Sequence, residues 1–255
     1  MNFTHTYYGW VQEDARLIAP YLIKLNSCGM IVKEAYPYLR DRADAGQRLA
    51  KELRNYQQEE PLVFAIPRGG VPVAFEVAKA LGCRLDIIIT RKIPIPSNPE
   101  AGYGAVTEDG VIVLNEPLVK SLNYTEVLIK RHAEEIKSEI RRRNSVYRAK
   151  LPMLSVEGKT AIIIDDGLAS GFTMIAAIKS LRQRKAAKVV VAVPVASAGA
   201  WRLIKALADD IISLIIADTH YFAVASFYQH WYNLNDEEVL DLLEEYTKSW
   251  SAASR

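Results

Sequence analysis

Asp165 and Asp166 stand together at the end of the apolar run Ile162-Ile163-Ile164, and the chain continues Gly167-Leu168-Ala169-Ser170-Gly171-Phe172-Thr173 before a helical pattern begins. A turn of small residues that leads into a helix N-terminus presents unpaired backbone N–H groups and the positive end of a helix dipole, which suit a phosphate. Ser170 and Thr173 add hydroxyl donors, and Gly167 and Gly171 let the backbone approach a ligand closely. Two carboxylates on the near side of such a cradle repel phosphate. They must therefore face sugar hydroxyls, a divalent cation, or both. The combination is a site for a phosphorylated sugar. An acidic pair alone would say little, because many α/β proteins carry acids at strand ends; the nine-residue string gives the specificity.

Two cationic segments extend this chemistry. Ile66-Pro67-Arg68-Gly69-Gly70 closes another short apolar run. Exposed N–H groups with a guanidinium that grips phosphate in bidentate fashion form a compact anion loop, although Gly-Gly turns also arise for steric reasons alone. Arg91-Lys92 is expected to end the next strand, with both cations pointing to the same edge; a solvated strand end is the plainer reading. Three strand ends, two cationic and one acidic with a cradle, suit a ligand whose two phosphate groups are joined by a sugar.

The elements that must position these residues alternate from residue 41 onward. Helices are expected over 44–53, 72–81, 124–148, 173–184, 200–207 and 236–246, and strands over 62–67, 85–90, 160–165, 188–195 and 210–217. The strands are near-continuous Ile/Val runs, the pattern of a parallel sheet covered on both faces. Ligands of such open sheets bind beyond the carboxyl ends of the strands, where strand order reverses. Residues 93–104 hold three prolines and two glycines and read as a long loop; Asp109-Gly110 marks a hairpin within 105–114. Residues 1–36 are aromatic and irregular. They are expected to form an N-terminal extension to a domain over 37–255, either as an arm packed on the core or as sequence upstream of a true start at Met30; intact mass of the native protein separates the two.

Of 255 residues half are hydrophobic, and 32 Lys and Arg against 30 Asp and Glu leave a net charge of only +2. That balance gives no reason to expect bulk binding to nucleic acid or to an anionic membrane. No apolar run reaches spanning length and no signal peptide is evident, so a soluble cytoplasmic protein is expected. Cys28 and Cys83, and the histidines at 5, 132, 220 and 230, share no metal-ligand spacing. No G-x-G-x-x-G follows a strand, which removes a dinucleotide-binding oxidoreductase.

On these residues the chain resembles the type I phosphoribosyltransferases. The 162–173 string is similar to their signature for phosphoribosyl pyrophosphate. A wider pattern over 39–246 includes Asp41-Arg42-Ala43-Asp44-Ala45-Gly46, Pro67-Arg68-Gly69-Gly70-Val71-Pro72, Arg91-Lys92, Asn98-Pro99-Glu100, Arg142-Arg143 with Tyr147-Arg148, and Asp236-Glu237-Glu238-Val239. It is similar to a bacterial subgroup whose acceptor is unnamed. The resemblance implies an α/β fold with a mainly parallel open sheet, helices on both faces and a small hood. It implies transfer of ribose 5-phosphate to a nitrogenous base with release of pyrophosphate. Asp165 and Asp166 would hold the ribose hydroxyls with Mg²⁺ nearby, and Gly167, Leu168, Ala169, Ser170, Gly171, Phe172 and Thr173 would cradle the 5-phosphate. Arg68, Gly69 and Gly70 would form the pyrophosphate loop, assisted by Lys92 and Arg91, and 93–104 would be a mobile catalytic loop. Glu100 on this loop could handle the acceptor's proton, although a solvated loop carboxylate explains it equally well. Ala169 stands where the 6-oxopurine enzymes carry an acid, and the order Leu168 to Met174, with Tyr103-Gly104, is closer to the adenine enzymes. Adenine is therefore one candidate acceptor.

The rival reading is a non-catalytic regulator that senses the same donor and binds nucleic acid through Arg141-Arg142-Arg143 with Lys137, Arg148 and Lys150; a solvated helix face is the plainer account of that run. The aromatics Tyr221, Phe222, Phe227, Tyr228, Trp231 and Tyr232 could stack on a base, but core or a subunit contact explains such a cluster more simply. A homodimer is compatible with the sequence and not readable from it.

Overall fold

An Ile/Val run with no polar alternation can bury both of its faces, and the central sheet does so. The computed structural model describes residues 39–219 and 221–253, with backbone alone for 99–100, 252–253 and three upstream strands, β1 (Tyr7–Gly9), β2 (Tyr21–Leu25) and β3 (Ile31–Ala35). Those three pair antiparallel in the order β1-β2-β3. The expectations for an N-terminal arm and a start at Met30 otherwise lie outside the described residues. The chain then runs α1 (Arg42–Glu52), β4 (Leu62–Ala65), α2 (Gly70–Leu81), β5 (Leu85–Ile87), β6 (Thr90–Ile95), β7 (Asn98–Thr107), β8 (Ile112–Leu114), α3 (Glu116–Ser121) and α4 (Glu126–Arg148). It continues with β9 (Thr160–Ile164), α5 (Phe172–Gln183), β10 (Lys188–Ser197), α6 (Ala198–Lys205), β11 (Asp210–Ala217) and α7 (Asp236–Ala253).

The central sheet has the order β11-β10-β9-β4-β5, and every neighbouring pair in it is parallel. Side chains alternate between two cores. Val63, Ala65, Ile162, Ile164, Val190 and Ala192 face a core shared with α2, α4 and α7. Leu62, Phe64, Ala161, Ile163, Val189 and Val191 face a second one beneath α5 and α6. The sheet is thus covered on both faces, as the unbroken apolar runs require.

The helices start where the sequence supplies caps. The Asp41 side chain accepts a hydrogen bond from the Asp44 backbone N–H at 2.8 Å, and Thr125 caps α4 from Leu128 N at 3.3 Å. Gly82 ends α2 in the left-handed region at φ 62°, where a side chain would be strained. The buried face of α4 is carried by Ile129, Ala133, Ile140 and Tyr147.

Residues 93–104 are not an irregular loop. They belong to a three-stranded antiparallel sheet, β6-β7-β8, with the register shifting at Ile93/Pro94 and again at Pro94/Ile95. A proline cannot donate to a ladder, and an irregularity in register is where one is tolerated. Ile93, Ile95 and Tyr103 are buried and hold the hairpin to the domain. The apolar pattern here outweighs the proline and glycine content. The Asp109-Gly110 turn between β7 and β8 is as expected, with Gly110 at φ 89°.

The C-terminal end of α4 is fixed by a buried ion network. Arg148 is bonded to the fully buried Asp86, donates to Ile87 O at 2.8 Å and reaches Glu108 at 3.2 Å. Asp86 also accepts from the backbone of Ile87 and Leu154, at 2.7 and 2.8 Å. Removing the cation strands two buried carboxylates, so Arg148→Met is expected to cost about 3 kcal/mol. A denaturant titration with unchanged slope and a lowered midpoint checks this.

Candidate functional site

The strand order reverses between β4 and β9, because β5 lies beyond β4 on one side and β10 and β11 lie beyond β9 on the other. Ala65 is in register with Ile164, and Ile66 N donates to Ile164 O at 2.9 Å. The loop after β4 and the loop after β9 therefore emerge side by side. They touch closely: a Cβ on Gly69 would overlap the Asp166 carboxylate, and one on Gly70 would stand 2.6 Å from Ile164 O. Gly69 itself has φ −60°, open to any residue, so glycine is needed there for space. The Pro67–Arg68 peptide is cis.

The acidic pair is asymmetric. Asp165 Oδ1 accepts from Asp166 N at 2.9 Å. Asp166 Oδ2 receives Nε and Nη2 of Arg42 at 2.9 and 2.8 Å. Arg42 is only 8% exposed, donates to Tyr232 O at 2.9 Å, and lies 3.9 Å above the ring centre of Trp231. Tyr228 Oη donates to Asp166 O at 2.6 Å. Burial raises the pKa of both acids; the Asp166 charge raises Asp165 further, whereas the Arg42 guanidinium opposes the rise at Asp166. The rise is thus larger at Asp165 than at Asp166, which the Arg42 guanidinium contacts directly.

The raised pKa of Asp165 bears on stability. A carboxyl whose pKa is higher folded than unfolded binds protons more readily in the folded state, so stability is lost as pH rises from the ordinary carboxyl value of 3.8 through the folded one. Asp165→Asn removes that loss and keeps an oxygen for Asp166 N. At pH 7 the unliganded variant is expected to be more stable by about 1 kcal/mol, about 2–4 °C in Tm at this chain length, with the gap closing below pH 4. Thermal unfolding across pH measures it.

The cradle is narrower than the sequence indicates. Leu168 N donates to Val195 O at 2.8 Å, Ser197 N donates to Leu168 O at 2.9 Å, and the Leu168 side chain is buried. Its backbone and side chain both serve the β10 junction, so it offers a ligand nothing. Phe172 packs on the core beneath α5, which leaves only its backbone for binding. Ala169 and Ser170 are exposed, Gly171 turns the chain at φ 85°, and α5 starts with no side-chain cap, with Thr173 in its first turn. Ser197 Oγ donates to Ala169 O at 2.7 Å and steadies the turn. A Cβ on Gly167 would stand 2.5 Å from Val224, so the segment between β11 and α7 closes over this end of the sheet.

Arg91 and Lys92 do not end the second strand. β5 stops at Ile87, and both residues lie inside β6, where successive side chains point to opposite faces. Arg91 pairs with Glu139 of α4, while Lys92 lies exposed beside Gly102. They therefore do not share one edge. Glu100 lies on β7, and its side chain is outside the described residues. Arg68 is 3.7 Å from Asp236, which also receives Arg142 at 3.3 Å and the Tyr147 hydroxyl at 2.6 Å. Arg143 is 3.4 Å from Glu139. Of the three consecutive arginines two are thus turned to carboxylates, and the run is not a single solvated face.

The sequence assigns Arg42 and Asp236 no role at the site, and for Tyr228 and Trp231 it offers base stacking, with core or a subunit contact as the plainer reading. The string containing Arg42 is conspicuous, but nothing in its spacing points to an acid 124 residues away. Phe227 and Tyr228 are core, Trp231 lies under Arg42, and Tyr221 and Tyr232 are 82% and 57% exposed. Cys83 is buried and its thiol pushed up to about 12 by burial, which fits an inert core residue. Among the described residues no three acidic, histidine or cysteine side chains converge on a metal position. Two adjacent carboxylates beside a phosphate cradle nevertheless fit Mg²⁺, which usually takes one or two protein carboxylates and draws its other oxygens from substrate phosphates and water.

The family model for the phosphoribosyl transferase domain matches residues 38–229. Two proteins of Mycobacterium tuberculosis, from strains CDC 1551 and H37Rv and provisionally named phosphoribosyl transferases, are each 35% identical over 213 residues, which is 84% of this chain and 48% of theirs. The chain therefore spans about half the length of these curated relatives. The crystal structure of TT1426 from Thermus thermophilus is 38% identical, covers 82% of this chain and 99% of its own, and superposes with a TM-score of 0.69.

Proposed function

The chain belongs to the phosphoribosyl transferase family, and from that premise we propose that it transfers ribose 5-phosphate from phosphoribosyl pyrophosphate to a nitrogen of a base, releasing pyrophosphate. The observation that carries this reading is the meeting of the acid pair and the Arg68 loop at the point where strand order reverses. A donor with a phosphate at one end and a pyrophosphate at the other spans the two loops, with its sugar over the carboxylates.

The reaction breaks the bond between C1 of the ribose and the pyrophosphate oxygen, and it forms a bond from C1 to the acceptor nitrogen, which then loses a proton. Positive charge develops on the sugar ring and negative charge on the leaving group, so electrostatic stabilisation of both is the main task. Asp165 and Asp166 hold the ribose hydroxyls and lie on the side of the developing cation. The backbone of Gly167 and of residues 169–173, with the hydroxyls of Ser170 and Thr173, holds the 5-phosphate at the N-terminus of α5. Arg68 and the N–H of Gly69 receive the pyrophosphate, with Arg91 in support; the Gly70 N–H is already given to Ile66 O at 3.0 Å, and Lys92 lies on the other face of β6. When bound, Mg²⁺ held at Asp165 and Asp166 supplies charge neutralisation to the phosphate oxygens. Glu100 on the hairpin is assigned the acceptor's proton. Arg42 acts through Asp166 and is a positioning residue.

The test is pyrophosphate release by the purified chain with phosphoribosyl pyrophosphate, Mg²⁺ and a panel of bases, adenine first. Release that depends on one base supports the reading and names the acceptor. Donor binding without release for any base across the panel would return attention to a sensor of the donor.

A further inference from the structure

Four guanidinium groups converge on one side of the acid pair. Arg68 comes from the loop after β4, Arg91 from β6, and Arg142 and Arg143 from successive positions of α4. They are linked through two carboxylates: Asp236 takes Arg68 and Arg142, and Glu139 takes Arg91 and Arg143. The groups are near enough to weaken one another. After burial, the charges of Arg143, Arg68 and Arg142 are what lower the pKa of Arg91, against the pull of Glu139. The balance is four positive charges against two negative, so the cluster has room for an anion. Arg143 has a further sign of incompleteness: its Nε is buried with no hydrogen-bond partner, and its side chain is only 14% exposed. A buried N–H without an acceptor costs free energy unless something fills the place.

Building on the proposed reaction, we infer that Arg142 and Arg143 of α4 are a second arm of the pyrophosphate subsite, facing the Arg68 loop, with Asp236 and Glu139 as the counter-ions that hold the cations until the anion arrives. The position of the cluster selects the pyrophosphate over the acceptor. Arg68 follows β4 and Arg91 lies just beyond β5, so the cations occupy the β5 side of the reversal, whereas Val224, Tyr228 and Trp231 close the site from the segment after β11. The leaving group departs toward the first side and the acceptor must approach from elsewhere. The multiply charged leaving group is met by planar, always-charged donors that bind phosphate oxygens in pairs. This also gives the consecutive arginines on α4 a task that does not involve nucleic acid.

Calorimetry on the full chain with two probes separates the possibilities. Inorganic pyrophosphate with Mg²⁺ reads the cation cluster, and ribose 5-phosphate reads the cradle and the acid pair. Arg142→Ala, at a side chain 58% exposed, preserves the fold, and Arg143→Lys keeps the charge while removing the fork. Each is expected to weaken pyrophosphate binding at least about tenfold, the loss of one charge-assisted hydrogen bond, and to leave ribose 5-phosphate within about twofold. Arg141→Ala, the exposed neighbour, is expected to change neither. Equal effects of Arg141→Ala and Arg142→Ala on pyrophosphate would reduce the cluster to long-range charge and overturn the inference, as would unchanged pyrophosphate affinity in both Arg142→Ala and Arg143→Lys. A wild-type chain that binds neither probe would overturn the donor reading itself.

Discussion

Replacing Asp165 and Asp166 together by asparagine is expected to weaken phosphoribosyl pyrophosphate by at least about 100-fold in calorimetry, to the limit of detection. Two hydrogen bonds from ribose hydroxyls to carboxylates are each worth about 1.5–3 kcal/mol when charge-assisted, and the amides also lose the attraction for Mg²⁺. The interpretation rests on what else each change does. Asp166→Asn leaves Arg42 without its ion pair, though the guanidinium keeps Tyr232 O and the Trp231 ring. Asp165→Asn disturbs no ion pair and is expected to raise the stability of the unliganded protein. A single Asp165→Asn variant that unfolds later than wild type yet fails to bind the donor would show that the acid is retained for the ligand at the fold's expense. Full binding by the double variant would remove the acid pair from the site and the sugar assignment with it.

The parts of this molecule that are legible in the sequence are those with local causes. The β9 run and the nine residues after it specify a buried strand, a turn and a helix start by composition alone, and β4 and β10 follow from the same apolar continuity. The expectation of a central parallel sheet, with a candidate site beyond its strand ends, rests on these runs, whereas the strand order itself comes from pairings far along the chain. Other features depend on partners far along the chain. The hairpin β6-β7 is hidden because Pro94, Pro96 and Pro99 with Gly102 and Gly104 outweigh Ile93, Ile95 and Tyr103 in any local count; the buried anchors decide the structure. With the hairpin hidden, Arg91 and Lys92 read as a strand end when they alternate within a strand. Leu168 reads as part of the cradle because it lies inside the signature, but its N–H and C=O are taken by β10. Arg42, Asp236 and Trp231 reach the site by packing of α1 and the C-terminal segment against the sheet, and no spacing rule links them to residue 166.

The tightest constraint at the site is steric, and it yields the second large effect. Gly69→Ala is expected to lower kcat/KM by about 100-fold or more, the order associated with a misplacement near 1 Å at a reacting centre. The backbone at 69 is in the ordinary helical region, so the added methyl costs nothing in φ. The nearest atoms it would meet all belong to the Asp166 carboxylate, whose place it would overlap. That carboxylate is held from behind by two bonds from a buried Arg42, so it cannot simply withdraw. The Arg68 loop must give way instead, which on the proposed reading would move the pyrophosphate contacts relative to the sugar contacts. Gly82→Ala is the complementary control, because φ there is 62° and nothing lies within 4 Å of the added Cβ. It is expected to cost about 1 kcal/mol of stability with no change in kcat/KM. If Gly69→Ala left turnover intact while Gly82→Ala behaved as stated, the contact between the two loops would be a packing detail, and the donor would not need to bridge them.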